Sequence, residues 1–412
     1  MLKQILKIMG VAAALVACHP QNDCEMIDAL YDSMTQQERI AQLRAVYMNN
    51  LFDENDRLDT ARCRELIPDG IGHCSQFALN TRRTPDQLRD MVAQLQDWLI
   101  HNTHSGIPAL MHEEVLSGVN GYDATVYPQQ IGLACSFNTD LAEEKTRLTA
   151  TALRSVGGHL ALSPMVDVVR TPSFNRLEES YGEDAYLSAA MGTAFVKGLQ
   201  HGDLRKGVAA CTKHFLGYGG GGDAPEKELM EEILLPHEAI IRTAGSHVLM
   251  PGYHDFHGTK CAASEELLQG ILRDYLGFDG VVVSDYGAIE QAGEPADALN
   301  AGCDVDFPEG VSYAHLQEAI DKGLVSQETL ERAVKRVLKL KLQLGLLDNA
   351  EGVTRRSRER SGKGAKLYEQ GHIEWDTPEE RAVAYKLATQ SVVLLKNNGI
   401  LPITTPRPLG DG

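Results

Sequence analysis

The sequence is short of positive charge. It has 39 lysines and arginines against 57 aspartates and glutamates, a formal net charge of −18. Phosphate backbones are held by basic surfaces, so this balance argues against nucleic acid as a partner and suits a neutral substrate. The eight cysteines contain no C-x-x-C pair, so neither a zinc site nor a dithiol redox centre is indicated. None of the fourteen histidines lies in H-E-x-x-H, and no metal is inferred. No G-x-G-x-x-G follows an early strand, which leaves an open Rossmann sheet without support. The glycine-rich stretch GYGGGGD (residues 217–223) is not followed by Gly-Lys-Ser/Thr, so it reads as a flexible loop rather than a phosphate cradle. Ser284 has no G-x-S-x-G elbow around it. The N-terminal apolar run, residues 8–17, is too short to span a bilayer as a helix.

That run follows Lys3 and Lys7 and ends in Leu15-Val16-Ala17-Cys18. The pattern resembles a bacterial lipobox. It implies a signal peptide over residues 1–17, lipidation of Cys18, and export to a periplasmic or outer-membrane-anchored position. Membrane contact would then be through lipid alone.

The most informative stretch is GVVVSDYGAI, residues 280–289. Val281, Val282 and Val283 are apolar on both faces, as in a strand buried within a parallel sheet. A carboxylate, Asp285, follows directly, and Gly287 then lets the chain turn. Carboxyl ends of strands face the active site in α/β folds, so Asp285 is the first catalytic candidate, against the plainer reading of a helix N-cap.

Other segments repeat this alternation. Strands are expected at residues 67–74, 108–114, 159–169, 207–215, 246–250, 281–283 and 304–307, the first of them at 67–74. Helical patterns lie at 25–44, 85–101, 139–156, 184–201, 226–244, 264–275 and 326–344. Alternation over roughly 300 residues argues for parallel βαβ units. Glu114, Asp167, Lys213, Tyr253 and Asp285 all close strands, and a (β/α)₈ TIM-type barrel is the architecture that brings such ends to one face. The barrel is expected over residues 18–345. A basic, apolar-poor linker (TRRSRERSGKGAK) follows, with bounds set at 346–377. Residues 378–412 read as the first elements of an incomplete second domain, too short to bury a core of their own.

At the motifs IPALMHEEVLSG, FNRLEESYGED, KHFLGYG, LMPGYHDFHG and GFDGVVVSDYGAIEQ the chain resembles glycoside hydrolase family 3, the β-glucosidases, β-xylosidases and related exo-acting enzymes. The match runs from about Asp28 to Pro402. The resemblance implies a barrel followed by an α/β sandwich domain, no cofactor, and a β-linked oligosaccharide or an aryl or alkyl glycoside as substrate. It implies Asp285 as the nucleophile on the anomeric carbon. Glu114, Arg176, Lys213, His214 and Tyr253 would hold the terminal sugar, with Asp167 and Met250 lining the same pocket. The acid/base is not assigned: in many relatives it is a glutamate of the second domain. The implied activity is retaining hydrolysis of terminal β-D-glucosyl or β-D-xylosyl residues. A sugar-binding barrel with little turnover is the alternative. A β-N-acetylhexosaminidase is a further one, disfavoured because the loop GYGGGGDAPEKE lacks the histidine that branch uses. Phe174-Asn175-Arg176 and Ser117-Gly118 depart from the commoner Trp-Gly-Arg and His-Gly.

Overall fold

The computed structural model describes residues 20–79, 81–349, 368 and 370–403. The signal segment, Cys18 and most of the expected linker lie outside these residues. Seven strands form one parallel sheet whose neighbours are consecutive: β1 (Ala45–Tyr47), β2 (His73–Ser75), β3 (Leu110–Glu113), β4 (Leu160–Ala161), β5 (Ala209–Phe215), β6 (Val248–Pro251) and β9 (Val281–Val282). A short antiparallel hairpin, β7 (Asp255–Phe256) and β8 (Thr259–Lys260), is inserted after β6. Its turn uses His257 and Gly258, both at positive φ (49° and 85°), the pairing that matches strand twist.

The sheet closes on itself. Val283 bridges Val305 in parallel, and Asp306 bridges Arg44, so residues 304–307 supply the eighth staves of the barrel. Asp304 anchors this closing segment. Buried to 1% exposure, it accepts hydrogen bonds from Val282 N (2.9 Å), Arg273 (3.1 Å) and Arg336 (2.9 Å).

Three expectations need correction. The stretch at 67–74 is not the first strand. Ala45–Tyr47 precedes it, too short to show against the helical rhythm on its N-terminal side. That rhythm at 25–44 is two helices, Pro20–Ser33 and Gln36–Gln42, because Thr35 forms a capping box with Glu38 and restarts the backbone. The single helix expected at 226–244 is interrupted. Leu229–Ile233 takes π-helical bonding, with Leu234 N donating to Leu229 O (2.8 Å), before the helix Leu235–Thr243. Pro236, with no N–H and a bulky ring, sits where an unbroken helix would need an i→i−4 bond, and the extra residue absorbs the misfit.

The outer helices turn apolar faces inward. Gln327–Gln343 buries Leu330, Ala333, Val334, Val337, Leu338, Leu340 and Lys341, a three-to-four residue spacing, beneath a Ser326 N-cap. Among the described residues no helix is long and apolar enough to cross a membrane.

Replacing Asp304 with alanine would leave the partly buried guanidinium groups of Arg273 and Arg336 without their shared carboxylate. Asp304→Ala is expected to lower unfolding free energy by roughly 3–5 kcal/mol, read by urea unfolding. A loss under 1 kcal/mol would remove Asp304 as the anchor of barrel closure.

Candidate active site

Each candidate lies at or just past a strand end on one face of the barrel, where backbone direction sends side chains to a common centre. Glu114 follows β3. Asp167 lies beyond β4, where Met165 still bridges Lys213. Lys213 and His214 lie within β5, Met250 within β6, Tyr253 just after it, and Asp285 past β9. Arg176 stands on the long loop after β4.

Asp285 is 8% exposed. Its Oδ1 accepts from the Tyr253 hydroxyl (2.8 Å) and from the backbone N–H of Tyr286 (2.8 Å). Its Oδ2 lies 3.3 Å from His214 Nε2 and makes no hydrogen bond among the described residues. Burial alone would raise the carboxyl's pKa. The His214 contact, the Lys213 charge and the Tyr286 N–H outweigh it and hold Asp285 below the usual carboxylate range. Burial and the Asp285 charge push the Tyr253 phenol up, so it stays a donor.

His214 is shared. Its Nδ1 lies 2.8 Å from Asp167 Oδ2, which also accepts the His214 backbone N–H (3.2 Å). Its Nε2 faces both Asp285 Oδ2 and Arg176 Nη1, the latter at 3.1 Å. Burial disfavours the imidazolium, but Asp167 and Asp285 together raise His214 above its ordinary value. Asp167 is buried completely and, despite that burial, held low by His214. It stands beneath the pocket and orients the imidazole. Met250, 1% exposed, packs in the core beside Lys213.

The remaining charges pair across the mouth. Lys213 Nζ donates to Glu114 Oε1 (2.7 Å), leaving Glu114 Oε2 without a partner among the described residues. Arg176 forks onto Glu179, Nε to Oε1 at 2.9 Å and Nη2 to Oε2 at 2.5 Å. Glu179 is held low by this arginine against the effect of burial.

Three roles escape motif reading. Glu179 fixes Arg176. Tyr218 forms an aromatic wall with ring centroids 5.5 Å from Phe174, 5.0 Å from His214 and 6.1 Å from Tyr253. Its one sequence signal is its place directly after the Lys-His-Phe strand end. Glu113, the other carboxylate ending β3, points away from the site and accepts the N–H groups of Ala78 and Leu79. Burial outweighs those bonds and lifts it to about 7. The glycine stretch 217–223 is a packed turn. A Cβ on Gly219 would come 2.5 Å from Val168 O.

No cluster among the described residues has the make-up of a metal site. A groove of about 750 Å³ lies on the outer surface of helices Thr139–Ser155 and Ala185–Gln200, but it contains none of these groups. The strand-end cluster instead offers a carboxylate held below its usual range with one oxygen turned toward His214, a ring of charged hydrogen-bonding groups and an aromatic wall.

The coupling of His214 to Asp167 carries a pH signature. A histidine raised above about 6.5 contributes stability fully below that value and loses it as pH climbs through the raised pKa. A lowered aspartate contributes above about 3.9 and loses it as pH falls through the lowered pKa. Both terms are therefore present near pH 5. Asp167→Asn should be less stable than the parent by roughly 3–5 kcal/mol there, and the deficit should shrink by pH 9. A deficit equal at both pH values in thermal or urea unfolding would show that the pair is not coupled.

Comparison with known proteins follows the same lines. The profile for the "Glycosyl hydrolase family 3 N terminal domain" matches residues 35–340. A β-xylosidase of Formosa agariphila is 34% identical over 353 residues, 77% of this chain and 47% of that protein. A periplasmic β-glucosidase of Salmonella typhimurium is 31% identical over 399 residues, 92% of this chain and 48% of that one. The chain thus spans about half the length of these relatives. Among solved structures, a β-glucosidase of Erythrobacter marinus superposes with a TM-score of 0.78 at 30% identity, covering 91% of this chain and 50% of the other. A β-glucosidase of Listeria innocua in complex with glucose gives 0.75 at 27% identity, covering 92% and 53%. Strand-end chemistry, barrel and matched motifs agree: this chain belongs to glycosyl hydrolase family 3, whose N-terminal domain it contains.

Proposed function

We propose that this chain is the nucleophile-bearing barrel of a retaining, exo-acting β-glycosidase that hydrolyses terminal β-D-glucosyl or β-D-xylosyl residues through a glycosyl-aspartate intermediate. One observation carries the reading. Asp285 is held below the usual carboxylate range, has one oxygen fixed by the Tyr253 hydroxyl and the Tyr286 N–H, and turns the other, Oδ2, toward His214 Nε2 at 3.3 Å with no shorter contact among the described residues. A nucleophile in retaining hydrolysis needs that combination: a charge that persists and a lone pair free to reach an anomeric carbon. Lys213, Glu114 and Arg176 supply charge-assisted bonds of the kind that grip vicinal hydroxyls. Relatives named for glucose and for xylose both support the sugar class.

The proton donor is proposed to lie outside the described residues. Of the carboxylates next to Asp285, Glu114 is paired with Lys213, Glu179 is locked to Arg176 and held low, and Asp167 is sealed beneath His214. None is a free acid facing the pocket. This favours a second reading for the chain acting alone: a barrel that binds the sugar and turns over slowly. Export is proposed, supported by the lipobox-like segment and by the relative named as periplasmic.

Two measurements test these statements. Asp285→Asn should cut release of nitrophenol from aryl β-glucosides and β-xylosides by roughly 10³-fold or more, and parent-like turnover would refute the nucleophile. With no acid in the barrel, the chain alone should cleave 2,4-dinitrophenyl glycosides, whose leaving group needs no proton. It should fall short on alkyl glycosides by roughly the 10²–10⁴-fold that proton transfer supplies. Equal efficiency on both would place a working acid within this chain.

A further inference from the structure

We propose that His112 is a positioning residue for Asp285, acting through the side chain and backbone of Tyr286. This inference rests on the nucleophile assignment above.

Tyr286 is the residue after the nucleophile and serves it twice through its backbone. Its N–H donates to Asp285 Oδ1 (2.8 Å), and its carbonyl lies 2.9 Å from the Tyr253 hydroxyl, whose single proton it shares with Asp285 Oδ1 (2.8 Å). The position of one peptide plane and one carbonyl therefore sets the carboxylate's orientation. These groups belong to a tight turn, with Gly287 at φ 71°, that beyond Ser284 is held to the barrel's closing segment by one backbone bond, Gly287 N to Phe307 O (3.0 Å). The Tyr286 side chain adds a second tie, from the other side of the turn, to strand β3. It runs inward instead of toward solvent, and its hydroxyl lies 2.8 Å from His112 Nε2.

His112 is held firmly. It belongs to β3, is fully buried, and pairs with Leu160 of β4. Its ring lies 4.1 Å from that of Phe307, tilted by 34°. Tyr286 meets Phe307 edge-on at 6.3 Å and Tyr47 edge-on at 6.4 Å, so it can turn little without losing all three neighbours. A neutral imidazole offers one N–H and one lone pair, and burial keeps His112 neutral, with its pKa pushed down to about 3. A phenol is both donor and acceptor, so the Nε2–hydroxyl bond forms whichever partner donates, while His112 Nδ1 has no partner among the described residues. His112 touches neither Asp285 nor Tyr253 in any hydrogen bond of the described residues. Its influence passes through Tyr286.

The pair is tested with Tyr286→Phe, which keeps the ring and loses the hydroxyl, and with His112→Ala, His112→Gln and the double variant Tyr286→Phe/His112→Ala. Reaction of the protein with 2,4-dinitrophenyl β-glucoside and β-xyloside gives kcat and KM, with Asp285→Asn as the inactive control. Misplacing a reacting group by about 1 Å can cost 10²-fold, so Tyr286→Phe should lower kcat by about 10- to 100-fold with KM within about twofold. His112→Ala should match it, the double variant should fall no further, and His112→Gln should recover part of the loss by restoring a donor or acceptor to the hydroxyl. Unchanged kcat in Tyr286→Phe, or losses that multiply in the double variant, would overturn the inference. If the parent hydrolyses neither substrate, the functional reading fails, and crystal structures of parent and Tyr286→Phe then decide. A displaced Asp285 carboxylate, no longer bonded to Tyr253, supports the pin, and an unmoved one refutes it.

Discussion

Four carboxylates, Glu114, Asp167, Glu179 and Asp285, are crowded into the mouth of this barrel, and the rest of the site follows from the need to balance them. Lys213 and Arg176 are permanent cations, and His214 becomes the third when protonated. A carboxylate that lost its cation here would be a buried charge without compensation, which costs several kcal/mol. The cations are therefore not interchangeable decoration. His214 must lie between Asp167 and Asp285, and so β5 must end where it does, against the loop that follows β4. The register with β6 shifts between Lys213 and Phe215. The strand departs from regularity at the residues on which charge balance depends.

His214 Nε2 faces two partners that ask opposite things of it. Arg176 can only donate, so it is satisfied by a lone pair on Nε2. Asp285 can only accept while ionised, so it is satisfied by a proton there. In the free site the two carboxylates win and favour the imidazolium. On the proposed mechanism, forming the glycosyl ester removes the Asp285 charge and leaves Asp167 as the only carboxylate bonded to the ring. The imidazolium then loses one of its two supports, and the neutral ring can accept from Arg176 in its place. The charge state of His214 is thus tied to whether the nucleophile is free or esterified.

Much of this was legible in the chain because strand-end chemistry leaves a mark: an apolar run cut short by Asp285, or by Lys213 and His214. Alternation of such runs with helical periods gave the barrel. Other parts left no mark for physical reasons. β1 is three residues long, and no periodicity fits in three residues. Of the two adjacent glutamates, Glu114 turns to Lys213 while Glu113 turns to a neighbouring loop, and strand alternation alone does not say which faces the pocket. Glu179 sits three residues from Arg176 on an irregular loop, and Tyr218 meets Phe174, 44 residues before it, and Tyr253, 35 after it, with no regular spacing to mark either. The glycines after Gly217 suggest freedom, yet they are packed: Gly219 passes against the backbone of Val168, and Gly221 and Gly222 against the side chains of Ile233 and His254.

Barrel closure and nucleophile placement share the same contacts. Ser284 N donates to Val305 O (2.8 Å), Phe307 N donates to Ser284 Oγ (2.9 Å), and Gly287 N donates to Phe307 O (3.0 Å). The segment that completes the barrel therefore also brackets the turn that carries Asp285. Phe307 adds its ring to His112 and Tyr286 from the same segment, while Asp304, three residues earlier, ties it to two outer arginines. Loosening the eighth stave would thus release the turn from one side even if every pocket residue were intact. A substitution at Asp304 or Phe307 touches no sugar in this arrangement, yet it should be felt in the orientation of Asp285, because the hydrogen bonds that close the cylinder are the ones that hold the nucleophile's loop in place.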